Sequence, residues 1–167
     1  RLLPVLLLVA VAAFLAFRGL SGGGGASLDT PSVRAGGERL AARDADGARA
    51  LVASGRGFGA GELAYARGLL ALADDRGDDA LAEARTAVAA APGDWRPFSL
   101  EYAALRLLGR DAEAGQLARS AVARIPDDER VLAMAAHDLA VSETDPDPEE
   151  ALRLLDRIDR LSARKAP

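Results

Sequence analysis

Residues 78–95 read DDALAEARTAVAAAPGDW, and residues 111–129 read DAEAGQLARSAVARIPDDE. Each stretch begins with acidic residues, continues through an alanine-rich helical pattern and ends at a proline that is soon followed by aspartate. The two prolines, Pro92 and Pro126, are 34 residues apart. A period of this length is typical of arrays in which each unit is a helical hairpin. The sequence therefore predicts an all-α fold built from stacked antiparallel hairpins.

The amino-acid composition favours helices over a sheet. Half of the residues are hydrophobic, but only 4% are aromatic. Alanine favours helices, whereas sheets prefer β-branched and aromatic side chains. The net charge is −4, and residues 61–150 hold 19 acidic residues against 9 arginines, so we expect no nucleic-acid partner. The absence of cysteine excludes disulfides, thiolate metal sites and cysteine nucleophiles.

An unbroken apolar run covers residues 2–17 and has an arginine at each end. It extends to Leu20 if Arg18 reaches back to the membrane interface, which brings it close to the ~20 residues that span a bilayer. We expect residues 1–20 to form a hydrophobic helix that acts as a transmembrane anchor or an uncleaved signal. A cleaved signal peptide and the last span of a larger membrane protein are the alternatives. Residues 21–30 form a Gly/Ser linker.

Capping and turn residues divide the rest of the chain into helices. Residues 31–60 predict one short hairpin, which is degenerate because Gly36 and Gly37 lower its helix propensity. In the remainder, apolar residues recur at helical spacing between turns that contain Gly or Pro. Asp94 and Asp127 are expected to cap two of these helices. This part predicts three hairpins, which span residues 61–94, 95–128 and 129–164.

Residues 61–162 resemble tetratricopeptide repeats of the membrane-anchored bacterial type, whose units are 34-residue helical hairpins. The family places small residues where the two helices of a unit cross and a proline near the end of the unit. The matching residues are Gly68, Ala80, Ala87 and Pro92 in the first unit, Ala114, Ala121 and Pro126 in the second, and Ala136 in the third. Tyr102 departs from this pattern and should push its two helices apart. The resemblance implies a right-handed superhelix whose first helices line a concave groove.

The resemblance also implies which residues face that groove. They are Tyr65, Leu69, Leu72, Arg96, Ser99, Arg106, Arg130 and His137. The three arginines would favour an acidic or C-terminal carboxylate group on an extended peptide, unless they are ordinary solvated residues of their helices. His137 is the only histidine, so no second imidazole or thiolate is present to complete a metal or catalytic site with it. We expect no metal, no cofactor and no catalysis.

The last predicted helix is apolar over a broad surface. Leu152, Leu155 and Ile158 lie on more of its circumference than one neighbouring helix can cover. Repeat arrays usually need a polar capping helix at each end. We therefore expect an exposed C-terminal apolar face that binds a partner or mediates self-association.

These features predict a non-catalytic scaffold that binds a peptide or helix of an envelope protein complex in its groove. By analogy with the family, the scaffold would be a single-pass protein of the cell membrane, with the repeat domain on the extracytoplasmic (periplasmic) side. Arginines lie on both sides of the apolar run, so the positive-inside rule barely separates the two orientations. The alternative function is a C-terminal regulatory domain of a larger polytopic membrane enzyme, of envelope glycosyltransferase or ligase type.

Overall fold

The computed structural model describes residues 28–165, except residues 29, 43, 143 and 144. The predicted anchor at residues 1–20 lies outside the described residues, and so does the linker as far as residue 27. None of the helices within the described part is long and apolar enough to cross a membrane.

The described residues form eight α-helices and no strand, which confirms the prediction of an all-α fold for this part of the chain. The helices are α1 (Pro31–Ala41), α2 (Ala45–Ser54), α3 (Ala60–Ala73), α4 (Gly77–Ala90), α5 (Trp95–Leu107), α6 (Asp111–Arg124), α7 (Glu129–Val141) and α8 (Pro148–Lys165).

Local capping groups explain where the longer helices begin and end. Asp94 accepts a hydrogen bond from the amide of Arg96 at the start of α5. Asp128, and not Asp127 as the sequence suggested, caps α7 in the same way. The turns that follow α3 and α5 are also alike, because Asp75 and Gly109 lie 34 residues apart and both have positive φ, 56° and 70°. The period seen in the sequence is therefore present in the backbone.

The helices pack in two layers. Each helix contacts its neighbours in the chain, and α1, α3, α5 and α7 also contact one another in that order, so that they form one layer. The second helices of the hairpins contact one another far less. The α5 helix lies at the centre, and every residue from 95 to 105 except Ser99 is buried. Alanine fills much of the space between the layers: Ala80, Ala84 and Ala87 are fully buried.

The three hairpins that match the predicted repeats pack with different closeness. Contact between the two helices is most extensive in α3–α4, smaller in α7–α8 and smallest in α5–α6. The residues expected at the crossings are Gly68, Ala136 and Tyr102, respectively. A methyl group on Gly68 would come within 3.3 Å of Glu83 Cβ on α4, which shows how closely α3 and α4 approach each other. Among these three hairpins contact falls as the side chain at the crossing grows, whereas the first hairpin, α1–α2, makes less contact than any of them although α1 contains Gly36 and Gly37.

Candidate partner-binding face and polar cavity

Three of the eight residues predicted to line a groove are buried. Tyr65 and Leu72 are each only 4% exposed and belong to the main hydrophobic core. Arg96 is 9% exposed. The prediction that these side chains face a groove is corrected, because α3 lies between α1 and α5 in its layer and α5 is covered on nearly all sides.

The side chain of Leu69 also faces the interior of the protein. It is half-buried and lines a small apolar space between α1, α2 and α3, together with Val33, Gly36 and Leu40. The first hairpin, α1–α2, therefore covers the side of α3 on which the sequence placed the beginning of the groove.

The remaining predicted residues are more accessible, and they lie on α5 and α7. Ser99, Arg106 and Arg130 are half-buried, and His137 is exposed. On α7, the exposed residues recur along one side of the helix; we call Ala133, His137, Ala140 and Val141 the α7 face. Ser99 and Arg106 occupy the equivalent places on α5, 34 residues before Ala133 and Ala140.

The three predicted groove arginines bind carboxylates of their own chain. Arg96 forms an ion pair with Asp94 at 3.0 Å. Arg130 does the same with Asp128 at 2.7 Å, and Arg106 pairs with Asp111 at 2.9 Å. Each guanidinium already has a carboxylate partner, so the arrangement gives no support to a preference for acidic peptides.

Two of these pairs form a repeated Asp-x-Arg motif around Trp95. The guanidinium carbons of Arg96 and Arg130 lie 5.5 and 4.6 Å from the centre of the Trp95 rings. Such cation–π contacts favour the buried indole further. The carboxylate of Asp94 also accepts a hydrogen bond of 2.8 Å from the amide of Leu28, which ties the segment before α1 to the start of α5. Sequence reasoning missed this motif, although its 34-residue repetition was visible.

A polar cavity of about 200 Å³ lies between α6 and the end of α7. Asp111, Ala112, Gly115, Gln116, Arg119, Asp138, Ser142 and Asp145 line it. Asp138 is 3% exposed, and its Oδ1 accepts a hydrogen bond of 3.1 Å from the hydroxyl of Tyr102. Burial and the negative charge of Asp138 raise the pKa of Tyr102 far above its ordinary value, so the hydroxyl keeps its proton and acts as the donor.

The sequence did carry a signal for this cavity. Asp138 lies seven residues after Val131 and three after Ala135, on the buried stripe of α7. A charged residue in such a stripe is uncommon, because burying a charge is costly. In the repeat pattern Tyr102 is only a departure at a helix crossing, whereas in the structure its hydroxyl reaches the carboxylate of another helix.

The C-terminal apolar face is narrower than the sequence predicted. Leu152 and Leu155 are 63% and 46% exposed. Ile158 is half-buried and packs against the main core, which corrects its place in the exposed face. The reason is that Ile158 lies one helical turn after Leu154, a buried residue that faces the core.

Comparison with models of known protein families, with characterised proteins and with solved structures finds no significant match for this chain. The resemblance to tetratricopeptide repeats therefore depends on the residue pattern of the chain itself. What the protein does has to be argued from the accessible face and the cavity.

Proposed function

We propose that this chain is a non-catalytic scaffold of the tetratricopeptide type, and that its α7 face binds a peptide or helix of a partner protein. The proposed architecture is a right-handed superhelix of hairpins. It is supported by the contacts among α1, α3, α5 and α7, which are closer than those among the second helices. Stacked hairpins of this kind curve towards their closer layer and use the concave side for binding.

The observation that carries the proposal is the open side of α7. The α7 face is exposed although α6 and α8 pack on the rest of the helix. Two of its four residues are alanines, which allow a second backbone to approach closely. On α5, Ser99 and Arg106 occupy the equivalent positions and extend the proposed binding surface with polar groups. An extended peptide or a helix would find apolar contact on α7 and hydrogen-bonding groups on α5.

The proposed setting is a cell membrane. The apolar run at residues 2–20 would anchor the protein by a single span, and the Gly-rich linker would let the repeat domain reach a neighbouring complex. We place the repeat domain on the periplasmic side, where the partner would belong to an envelope complex.

Site-specific photocrosslinking in native membranes tests this function. A photoreactive residue replaces His137 on the α7 face, or Ala89, an exposed residue of α4, as the control. We expect one discrete crosslinked protein from position 137 and none from position 89. An added Ala140→Trp substitution should fill the face and abolish the crosslink, whereas Ala123→Trp on α6 should not. Equal crosslinking from both positions, or insensitivity to Ala140→Trp, would contradict the proposal.

A further inference from the structure

The cavity between α6 and α7 contains the buried carboxylate of Asp138, and the guanidinium of Arg119 lines the same cavity without forming an ion pair with it. The ion pairs formed by the described residues do not include Asp138, and its hydrogen bond comes from the neutral hydroxyl of Tyr102. A buried charge without a counter-charge is costly, so such groups are normally paired. The hydrogen bond from Tyr102 uses Oδ1, so Oδ2 keeps its capacity to accept hydrogen bonds.

The second oxygen of this carboxylate is turned towards the cavity. Asp138 Oδ2 lies 2.7 Å from the place that a Cβ on Gly115 would take, and Gly115 forms part of the cavity wall. No described residue donates a hydrogen bond to this oxygen. A side chain at position 115 would collide with the carboxylate, so the glycine keeps this side of Asp138 open.

The rim of the cavity is charged but already paired. Arg119 lies 3.4 Å from Asp145, and Arg106 lies 2.9 Å from Asp111. The lining therefore contains three aspartates against one arginine, and it attracts positive charge. Arg106 occupies on α5 the position equivalent to Ala140 of the α7 face, and its partner Asp111 lines the cavity.

We propose that this cavity binds an organic cation with N–H donors, the guanidinium or ammonium group of a basic side chain on the bound partner. Such a group donates a charge-assisted hydrogen bond to Asp138 Oδ2 and pairs with its negative charge. A volume of about 200 Å³ accepts a side-chain head group and is smaller than typical pockets for whole small molecules. Within the described residues, no three acidic or imidazole groups are placed to hold a metal ion, so the geometry favours an organic cation.

Photoaffinity labelling of the full chain tests the binding of the cation. The probe is an alkylguanidinium that carries a diazirine, and the control probe is the neutral urea of the same shape. We expect the guanidinium probe to label residues 111–119 and 138–142, as mapped by mass spectrometry, and the urea probe not to do so. Equal labelling by the two probes would show a merely polar cavity and overturn the proposal.

Two variants and one matched control identify the group responsible. Asp138→Asn keeps an acceptor for the Tyr102 hydroxyl but removes the charge, and should reduce labelling at least about tenfold. Ala112→Trp leaves Asp138 in place and should block labelling because its indole fills the cavity. This second variant keeps the test decisive if Asp138→Asn fails to fold. Asp127→Asn removes an exposed carboxylate that pairs with Arg157 and should leave labelling unchanged. Full labelling of Asp138→Asn would overturn the proposal.

Competition separates a partner side chain from a free small cation. We expect an acetylated Gly-Arg-Gly amide to compete with the probe and its citrulline analogue, which is neutral, not to compete. Competition by ethylammonium alone, with no effect of the arginine peptide, would overturn the assignment to a partner side chain. That assignment rests on the proposed function, but the labelling experiment does not use the α7 face. The proposal about the cavity and the proposal about the α7 face can therefore be contradicted independently of each other.

Discussion

Gly36 and Gly68 lie in the first helices of two hairpins, but their surroundings are opposite in packing density. Gly36 in α1 is buried, and a methyl group there would have no atom within 4 Å. Gly68 in α3 is also buried, but the methyl group would come within 2.6 Å of Leu100 Cδ2 and 3.3 Å of Glu83 Cβ. The same residue type therefore leaves unused space in one helix and permits close packing in another.

The two glycines should respond in opposite ways to alanine. Gly36→Ala gains helix propensity and fills space, so we expect the free energy of unfolding to rise by about 1 kcal/mol. Gly68→Ala gains the same propensity but overpacks the crossing, so we expect a net loss of about 1–2 kcal/mol. Urea unfolding of the full chain measures both. A change of the same sign in the two variants would show that the packing at Gly68 is not as tight as described.

At the scale of elements, the Asp-x-Arg motif makes the start of α7 sensitive to pH. Burial by itself would raise the pKa of Asp128, but the hydrogen bonds and charge of Arg130 outweigh burial and hold the pKa below its usual range. Arg130 donates to both carboxylate oxygens of Asp128, at 3.0 and 2.7 Å. A lowered pKa means that the ionised carboxylate stabilises the fold above about pH 4, and that this contribution is lost as the pH falls further.

Removal of the arginine tests this contribution. We expect Arg130→Met to lower the free energy of unfolding by about 1–2 kcal/mol at pH 7. The difference from the original protein should shrink as the pH falls below about 4, because Asp128 becomes protonated first in the variant and then, at lower pH, in the original protein. Arg67→Met, at an exposed position of α3, is the matched control and should change stability little at any pH. A difference that stays constant down to pH 2 would exclude the ion pair as its source.

At the scale of the whole molecule, the two ends of the helical array differ in how well their apolar residues are covered. At one end the first hairpin packs on α3, and the backbone amide of Leu28 donates a hydrogen bond to the carboxylate of Asp94. At the other end, α8 leaves Leu152 and Leu155 exposed. Exposed apolar residues that adjoin one another often mark an interaction surface. Self-association through α8 therefore stays our prediction for this end.

A double substitution at the C-terminal end tests self-association. We expect Leu152→Gln with Leu155→Gln to weaken association of the full chain in detergent, as measured by sedimentation equilibrium. The free energy of unfolding should change by less than about 1 kcal/mol, because both side chains are already exposed. Leu154→Ala, which removes a buried side chain of the same helix, should cost about 2–5 kcal/mol. If the double variant associates as strongly as the original protein, α8 is not the contact surface.

The sequence by itself determined the helices and their period. Proline, glycine and aspartate at the turns, and the 34-residue spacing of Pro92 and Pro126, predicted an all-α chain with hairpins in this order. These features act within a few residues of the chain, because a cap or a turn is made by neighbouring groups. The cap of α7 was assigned to Asp127, one position before Asp128, the residue that makes it.

Only the tertiary structure decided which side chains a partner could reach. The resemblance to tetratricopeptide repeats implied a groove position for Tyr65, Leu72 and Arg96 as it did for His137, yet the first three are buried and His137 is exposed. Exposure depends on how many helices surround each element, and α3 and α5 have neighbours on more sides than α7 does. The cavity around Asp138 likewise arises from groups far apart in sequence, because the hydroxyl of Tyr102 reaches Asp138 from another helix. Each helix is determined by short-range hydrogen bonds that the local sequence specifies. A binding surface consists of the residues that stay exposed after all the helices have packed, so it depends on the whole tertiary structure.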